Sequence, residues 1–276
     1  MKKEEVMKTG IKPPSVTDIC KKANKSVEEV NAFLDLLKRS MEPFSKRISV
    51  IENGTMRYYA VERRGIGILK TEHGKFWQYN FAIDDQWEKY SVIVKAELDQ
   101  DHLTPVFKKT DQLLLRTDSG CETGHVFGCL TCECREQLHL ALKTIGEVGE
   151  GMIINIPRQD GRGMGLTFKL ATLWIQDVLG VNTVESATLL APGGVIDIRT
   201  YSGVICILKF FSISKACRIN LATNNPDKAE VFAENGYTVA DYTPIVIEPN
   251  EHTEIHLQAK QDHLGHKGLI KKRRKK

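Results

Sequence analysis

The sequence lacks the marks of a membrane, secreted or repeat protein. No stretch approaches the roughly 18 consecutive apolar residues that a membrane-spanning helix needs. The start, Met1-Lys2-Lys3-Glu4-Glu5, is charged and has no apolar core, so we find no secretory signal. No internal repeat is visible, and the P-loop pattern G-x4-G-K-[ST] is absent. We therefore expect a cytoplasmic globular protein whose seven cysteines are reduced and available as metal ligands or catalytic groups.

An excess of positive charge is also missing from most of the chain. The formal net charge of +4 includes six cationic residues at 271–276, so the remaining residues carry a net charge of −2 (+4 less 6). A basic tail such as 269–276 is typical of a solvated chain end, and contact with nucleic acid or a targeting role is the alternative. The overall basicity therefore does not indicate a nucleic-acid-binding protein.

Residues 1–64 are predicted to form a small separate unit of helices and a hairpin. Ser26 followed by Glu29 is a capping-box pattern that predicts a helix start. Two β-like runs flank Asn53-Gly54, which is a strong hairpin signal. Helices followed by a hairpin are similar to a winged helix-turn-helix, so DNA binding through residues 15–64 is one interpretation. A packing or dimerisation unit is the other.

From Gly65 onward the pattern predicts a mixed α/β domain with helices against a twisted sheet. Its boundaries are predicted at residues 65–268. The predicted strands are Phe76–Ile83, Tyr90–Glu97, Leu113–Arg116, Gly151–Pro157 and Cys217–Ala222. The predicted helices are Glu136–Val148, Leu166–Leu179 and Asp227–Asn235.

A metal site is indicated by Cys121, Cys132 and Cys134, which form a C-x10-C-x-C arrangement. Three thiolates leave one tetrahedral position open, as in a catalytic zinc site. Zinc in such a site acidifies a bound water to a pKa of about 7. Cys129 lies between these residues and as a fourth ligand would make the site structural. Buried free thiols without a metal are the remaining alternative.

A phosphate site is indicated where a strand ends and a helix begins, at Arg158–Leu166. Glycines at every second position allow a ligand to approach the backbone, and the helix start offers free N–H groups. Arg158 and Arg162 add guanidinium groups suited to phosphate. The alternative is a glycine-rich connection with surface arginines. Thr223–Lys228 is a second anion candidate. A third is Asp197–Tyr201, where period-2 spacing places Asp197, Arg199 and Tyr201 on one side of an extended segment; a surface ion pair between Asp197 and Arg199 is the alternative.

Taken in order, these segments resemble GTP cyclohydrolase II, the first enzyme of riboflavin synthesis. The resemblance covers roughly Gly65 to Gly268. It is carried by six motifs: Arg116–Gly128 (RTDSGCETGHVFG), Cys132–Leu138 (CECREQL), Arg158–Leu166 (RQDGRGMGL), Asn182–Glu185 (NTVE), Asp197–Tyr201 (DIRTY) and Thr223–Lys228 (TNNPDK).

The resemblance implies a zinc-dependent hydrolase that opens the imidazole ring of GTP and releases pyrophosphate and formate. Cys121, Cys132 and Cys134 would hold Zn²⁺, and Mg²⁺ would accompany the triphosphate. Asp197 would be the proton acceptor, and Arg199 the nucleophile or α-phosphate partner. Members are commonly homodimers. The GTP-binding residues would be Arg116, Thr117, Asp118, Ser119, Gly120, Gln137, Asp160, Gly161, Arg162, Thr183, Thr223 and Lys228.

Four positions depart from the family pattern. Asp160 replaces a glutamate, Asp118 a histidine and Arg135 a glycine, and Leu173 occupies the place of a tyrosine thought to assist hydrolysis. Because leucine has no proton to donate, hydrolysis that stops at a formylamino product is an alternative to the full reaction. A divergent enzyme acting on another nucleotide, or of the kind found in uracil catabolism, is a further alternative. A nucleotide-sensing DNA-binding regulator is the last.

Overall fold

The computed structural model describes residues 14–84 and 89–270, and it divides into two compact units, Met1–Glu42 and Pro43–Lys276. The smaller unit contains two helices, α1 (Val16–Ala23) and α2 (Val27–Met41). The predicted capping box is present at the start of α2. The amide of Glu29 donates to Ser26 Oγ, and the amide of Ser26 donates to the Glu29 carboxylate. The last six residues of the basic tail lie outside the described residues.

The larger unit is built on one eight-stranded sheet, with a two-stranded ribbon beside it. The ribbon consists of β5 (Glu97–Asp99) and β6 (Thr104–Val106). The strands of the main sheet are β1 (Phe44–Glu52), β2 (Thr55–Thr71), β3 (Gly74–Ile83), β4 (Tyr90–Lys95), β7 (Gln112–Ser119), β8 (Gly151–Ile156), β9 (Arg218–Ala222) and β10 (Val239–Thr243).

The main sheet has an antiparallel half and a parallel half. Its strand order is β1-β2-β3-β4-β8-β7-β9-β10, so β8 pairs with β4 on one side and β7 on the other. Strands β1 to β4 and β8 pair antiparallel, whereas β8, β7, β9 and β10 pair parallel. This is the mixed sheet that the sequence predicts.

The hairpin across Asn53-Gly54 belongs to this sheet and not to the N-terminal unit. Both turn residues have positive φ, as a two-residue hairpin turn requires. Strand β2 then continues to Thr71, and its register with β3 shifts between Arg63 and Gly65. The domain boundary predicted at residue 64 therefore falls on a bulge inside one continuous strand, and the compact unit begins at Pro43 instead.

Helices cover both faces of the sheet. Two clusters of buried apolar side chains lie on opposite faces of the sheet, because successive residues of a strand point to opposite faces. Met152 and Ile154 belong to one cluster and Ile153 to the other. Helix α7, almost wholly buried, supplies the first cluster and α4 the second. The helices of this unit are α3 (Glu122–His125), α4 (Cys134–Val148), α5 (Leu166–Leu179), α6 (Thr183–Leu190), α7 (Ser202–Phe210), α8 (Glu230–Glu234) and α9 (Glu254–His263).

The helix predictions near the site are confirmed to within a few residues. The predicted helix Leu166–Leu179 has the observed bounds, and the helix predicted to start at Glu136 starts at Cys134. The segment predicted as helix Asp227–Asn235 is a 3₁₀ turn, Pro226–Ala229, followed by α8. Among the described residues, no helix combines the length and apolar character needed to cross a membrane.

Candidate metal and anion site

The site forms where the parallel strands β7, β8 and β9 end. Parallel strands deliver the residues that follow them to the same edge of a sheet, which is where ligands bind in such sheets. Cys121 follows β7, Asp160 follows β8 and Thr223 follows β9. The three predicted ligand-binding segments are distant in sequence and meet here because of this topology.

The three predicted metal-ligating cysteines converge. The sulfurs of Cys121, Cys132 and Cys134 all lie within 4.8 Å of one another. Those of Cys121 and Cys132 are 3.9 Å apart. Sulfurs bound to one tetrahedral zinc at 2.3 Å are separated by about 3.8 Å. The donor set and spacing therefore fit a zinc ion. Cys129 is not part of this cluster, and its thiol lies 3.2 Å from the Thr131 hydroxyl.

Gly124 leaves the space into which the sulfurs converge. A Cβ at this position would lie 2.9 Å from the sulfur of Cys132 and 3.0 Å from that of Cys121. The amide of Gly124 also lies 3.3 Å from the Cys121 sulfur, to which it donates. Glycine is required here by close packing and not by backbone conformation.

Lys169, on α5, provides a cation beside the cysteine cluster. Its Nζ lies 2.7 Å from the sulfur of Cys121 and 3.7 Å from the carboxylate of Asp160. Hydrogen bonds from Cys132 and Cys134, with the charge of Lys169, lower the pKa of Cys121 well below its ordinary value. Burial raises the pKa of Asp160. The ammonium group of Lys169 therefore favours a thiolate in this cluster.

A buried ion pair fixes the residue between the last two cysteines. Lys260, on α9, donates to both carboxylate oxygens of Glu133 at 2.9 and 3.0 Å. Burial acts to raise the pKa of Glu133, but the charge and hydrogen bonds of Lys260 outweigh it, and the pKa is lowered. The C-terminal helix thus holds the loop that presents Cys132 and Cys134.

Arg116 and Asp118 form a buried polar network on β7. Nη1 of Arg116 donates to the Ala222 carbonyl, and its Nη2 donates to Gln137 Oε1 at 3.2 Å. Asn155 donates to Asp118, and His125 Nε2 lies 3.6 Å from the same carboxylate oxygen. The carboxylate of Asp118, the residue that departs from the family histidine, therefore accepts hydrogen bonds from Asn155 and Arg116.

The glycine-rich turn is held against the segment that carries Arg199. Arg162 has a positive φ of 58°, its carbonyl accepts from the amide of Ile198, and its guanidinium donates to the Thr183 hydroxyl at 2.9 Å. A Cβ at Gly163 would lie 3.1 Å from the amide nitrogen of Arg199. Close backbone packing at Gly163 therefore brings the two predicted segments together.

Asp197 and Arg199 form an ion pair. Nε of Arg199 donates to the Asp197 carboxylate at 2.9 Å, and its Nη2 makes a further contact with it. Both residues line one groove, and Arg199 also lines the neighbouring cavity that contains the cysteine cluster. Of the predicted pair, Arg199 alone therefore reaches the cavity that contains the cysteines.

Most of the predicted site residues line one cavity. Thr117 and Gly120 do not line it: the Thr117 carbonyl accepts from Lys228 Nζ, and Gly120 packs against the Ile156 carbonyl, leaving no space for a Cβ. Arg158 lines a different groove. The predicted residues that line the cavity are Arg116, Asp118, Ser119, Cys121, Cys132, Cys134, Gln137, Asp160, Gly161, Arg162, Thr183, Arg199, Thr223 and Lys228.

The cavity is suited to an anionic ligand. Its lining has six cationic side chains (Arg116, Arg162, Lys169, Arg199, Lys228, Lys260) and three acidic ones (Asp118, Glu133, Asp160). Burial, with Arg116 and Arg199 nearby, lowers the pKa of Lys228. Within the described ranges, Arg116 Nε, Ser119 Oγ and Gln159 Oε1 are buried without a hydrogen-bond partner. A polar ligand in the cavity would satisfy such atoms.

Several lining residues were not predicted from the sequence. Lys169, Lys260, His256 and His266 lie in the cavity wall, and the last three come from the C-terminal segment. Burial lowers the pKa of His266 to about 4. Lys169 lies three residues into the predicted helix, so helical spacing from the glycine-rich turn was the signal that could have identified it.

The fold and the site define an α/β protein that combines candidate metal ligands with a cavity lined by an excess of cationic side chains, and comparison with known proteins gives its family. The sequence profile described as GTP cyclohydrolase II matches residues 62–244. The chain belongs to the GTP cyclohydrolase II family, a family of hydrolases, as its motifs predict.

Individual relatives agree with this assignment. GTP cyclohydrolase-2 of Picrophilus torridus is 35% identical over 72% of this chain and 94% of its own length. GTP cyclohydrolase-2 of Streptomyces coelicolor is 30% identical over 80% of this chain and 93% of its own length. Riboflavin biosynthesis protein RibBA of Phocaeicola vulgatus is 32% identical over 76% of this chain, which spans about half of that longer protein.

Proposed function

We propose that this protein hydrolyses the imidazole ring of GTP in riboflavin synthesis, releasing pyrophosphate and formate. The observation that carries the proposal is the position of the three-thiol cluster in the wall of a cavity lined by an excess of cationic side chains. The names of the relatives support GTP as the substrate. Metal-assisted hydrolysis and phosphate binding are the two functions that this combination serves.

The cationic residues at the strand ends bind the triphosphate. Arg116 is held by the Ala222 carbonyl and Gln137, and Arg162 by Thr183, so both guanidinium groups are positioned before a ligand arrives. Lys228, buried beside Arg116 and Arg199, has a lowered pKa that an approaching phosphate would restore. Mg²⁺ bound to the triphosphate would neutralise the part of its charge that these side chains leave.

The cysteine cluster supports the hydrolytic step. Cys121, Cys132 and Cys134 would hold a zinc ion, whose chemistry would be to lower the pKa of a water molecule to about 7. Lys169 balances the negative charge of the sulfurs, and Glu133 with Lys260 keeps the cysteine loop in place. Asp160 contacts Lys169 and has a raised pKa, so it is the carboxyl group best placed to exchange a proton near the cluster.

Product analysis with each nucleoside triphosphate tests the proposal. We expect turnover of GTP alone, with formate and pyrophosphate as products. We expect Cys132→Ser to lose turnover together with the zinc ion that the cysteines hold. Binding of GTP without turnover, together with a shift of a DNA fragment in a gel, would instead support the regulator. Turnover of a different nucleotide would identify a divergent enzyme.

A formylamino product is a second candidate, and the observation that favours it is Leu173. Its side chain lines the cavity on α5, at the position of the family tyrosine. With no hydroxyl there, attack on the formamide lacks the proton donor that the full reaction uses. Mass spectrometry separates the two products by one CO group. We expect Leu173→Tyr to increase formate release if the wild type stops early; an unchanged ratio would exclude this account.

We further propose a cytoplasmic homodimer. Leu170, Trp174 and Val178 lie one turn apart on α5 and are 51%, 74% and 65% exposed. An exposed apolar stripe of this kind is typical of a surface that a second subunit covers. The reduced thiols that the proposed zinc site requires are those of a reducing compartment.

A further inference from the structure

A second cluster of metal-binding side chains lies outside the cavity. Glu72 and His73 form the turn between β2 and β3, and His139 lies on α4. One ligand atom from each of these residues lies within 4.8 Å of the others. The cysteine cluster and this one are the two such groups among the described residues. Neither the proposed reaction nor the anion cavity uses these three side chains.

The distances approach those of a metal-bound set. The carboxylate oxygen Oε1 of Glu72 lies 3.7 Å from His73 Nε2 and 3.5 Å from His139 Nδ1. Ligands bound to one tetrahedral zinc at 2.0–2.2 Å are separated by about 3.4 Å. A common carboxylate oxygen therefore already lies close to both imidazoles. Small rotations of exposed side chains would complete the arrangement.

The backbone that carries these ligands is fixed in place. A Cβ at Gly146 would lie 2.4 Å from the carbonyl oxygen of His73, so α4 packs directly against the turn. Gly146 and His139 are seven residues apart, which places them on the same face of α4. The Thr71 hydroxyl accepts from the amide of His73 and donates to the carbonyl of Gly74. Rigid supporting elements of this kind lower the entropic cost of assembling a site.

Exposure of the ligands determines the kind of site. The side chain of His73 is 18% exposed, that of His139 50% and that of Glu72 71%. One imidazole is thus anchored and the other two groups remain accessible to an ion from solvent. Two imidazoles and a carboxylate favour zinc or a similar transition metal over magnesium, which prefers oxygen ligands.

We propose that Glu72, His73 and His139 form a second zinc site, which joins the β2–β3 turn to α4. Water completes the coordination on the exposed side. Because α4 begins at Cys134, an ion here would stabilise the helix whose first residue belongs to the cysteine cluster. The site is independent of the proposed reaction.

Zinc stoichiometry tests this site on the full chain. Equilibrium dialysis against Zn²⁺, followed by elemental analysis, should show one fewer ion per chain in His139→Gln than in the wild type. Cys132→Ser should lose a different ion and keep this one, so the two sites are distinguished. Mg²⁺ at equal concentration should not compete.

The matched control is His252→Gln. His252 is 47% exposed and lies 3.6 Å from the carboxylate of Glu251, much like His139 beside Glu72, but it belongs to no three-residue cluster among the described residues. This control should bind as much zinc as the wild type. If His139→Gln unfolds, as circular dichroism would show, Glu72→Gln on the exposed turn replaces it and should weaken zinc binding on the order of tenfold or more. Equal zinc content in the wild type and in a folded variant overturns the proposal.

Discussion

The pair formed by Glu133 and Lys260 gives the sharpest prediction about stability. Its side chains are 6% and 18% exposed, so replacing Lys260 by methionine would leave a nearly buried carboxylate without a partner. Breaking such a pair costs about 3–5 kcal/mol, and the partial exposure of Lys260 favours the lower end. A loss of about 3 kcal/mol corresponds to a fall in melting temperature of about 6–12 °C for a unit of this size.

Calorimetry of Lys260→Met measures this change, and two further variants separate its cause. Lys143→Met removes a lysine from an exposed pair with Glu147, 4.0 Å apart, and should change stability by less than about 0.5 kcal/mol. The double variant Glu133→Gln/Lys260→Met carries no charge at this pair. It should recover more than about 1 kcal/mol of the stability that Lys260→Met loses. The reasoning fails if Lys260→Met is no less stable than Lys143→Met, or if the double variant recovers nothing.

Three other predictions concern the site and its surroundings. Gly124→Ala should reduce bound zinc in elemental analysis while circular dichroism stays unchanged, because a Cβ would lie about 3 Å from two cysteine sulfurs. Trp174→Glu should convert a dimer into a monomer in light scattering; an unchanged mass would place the interface elsewhere. Burial lowers the pKa of His266 from 6.5 to about 4, so the wild type should lose on the order of 3 kcal/mol of stability as the pH falls from 6.5 to about 4. His266→Asn should lose less in pH-dependent melts.

The sequence allowed the chemical groups of the site to be predicted, because local patterns encode them. The spacing of Cys121, Cys132 and Cys134 indicated a metal cluster, and their sulfurs converge. The glycine-rich turn before Leu166 predicted a helix start, which is where α5 begins. In both cases neighbouring residues determine the geometry, so a short window of sequence contains the information.

The remaining features depend on contacts between distant segments. Lys260 and Glu133 form their ion pair although they are 127 residues apart in the sequence. No periodic pattern in the sequence relates the two positions. The change of pattern at Gly65 was interpreted as a domain boundary, but the structure shows a bulge, since one long strand can change register without ending. The ion pair between Asp197 and Arg199 is what neighbouring opposite charges predict, but the absence of Asp197 from the wall of the cysteine-lined cavity depends on how distant segments pack.

The dependence of the cysteine loop on α9 has a consequence for synthesis. A ribosome produces the strands of the main sheet and all three cysteines before it reaches Glu254, where that helix starts. Until then Glu133 has no counter-ion, and one wall of the cavity does not yet exist. The contact between Lys260 and Glu133, which positions the loop that carries Cys132 and Cys134, can therefore form only after α9 has been synthesised.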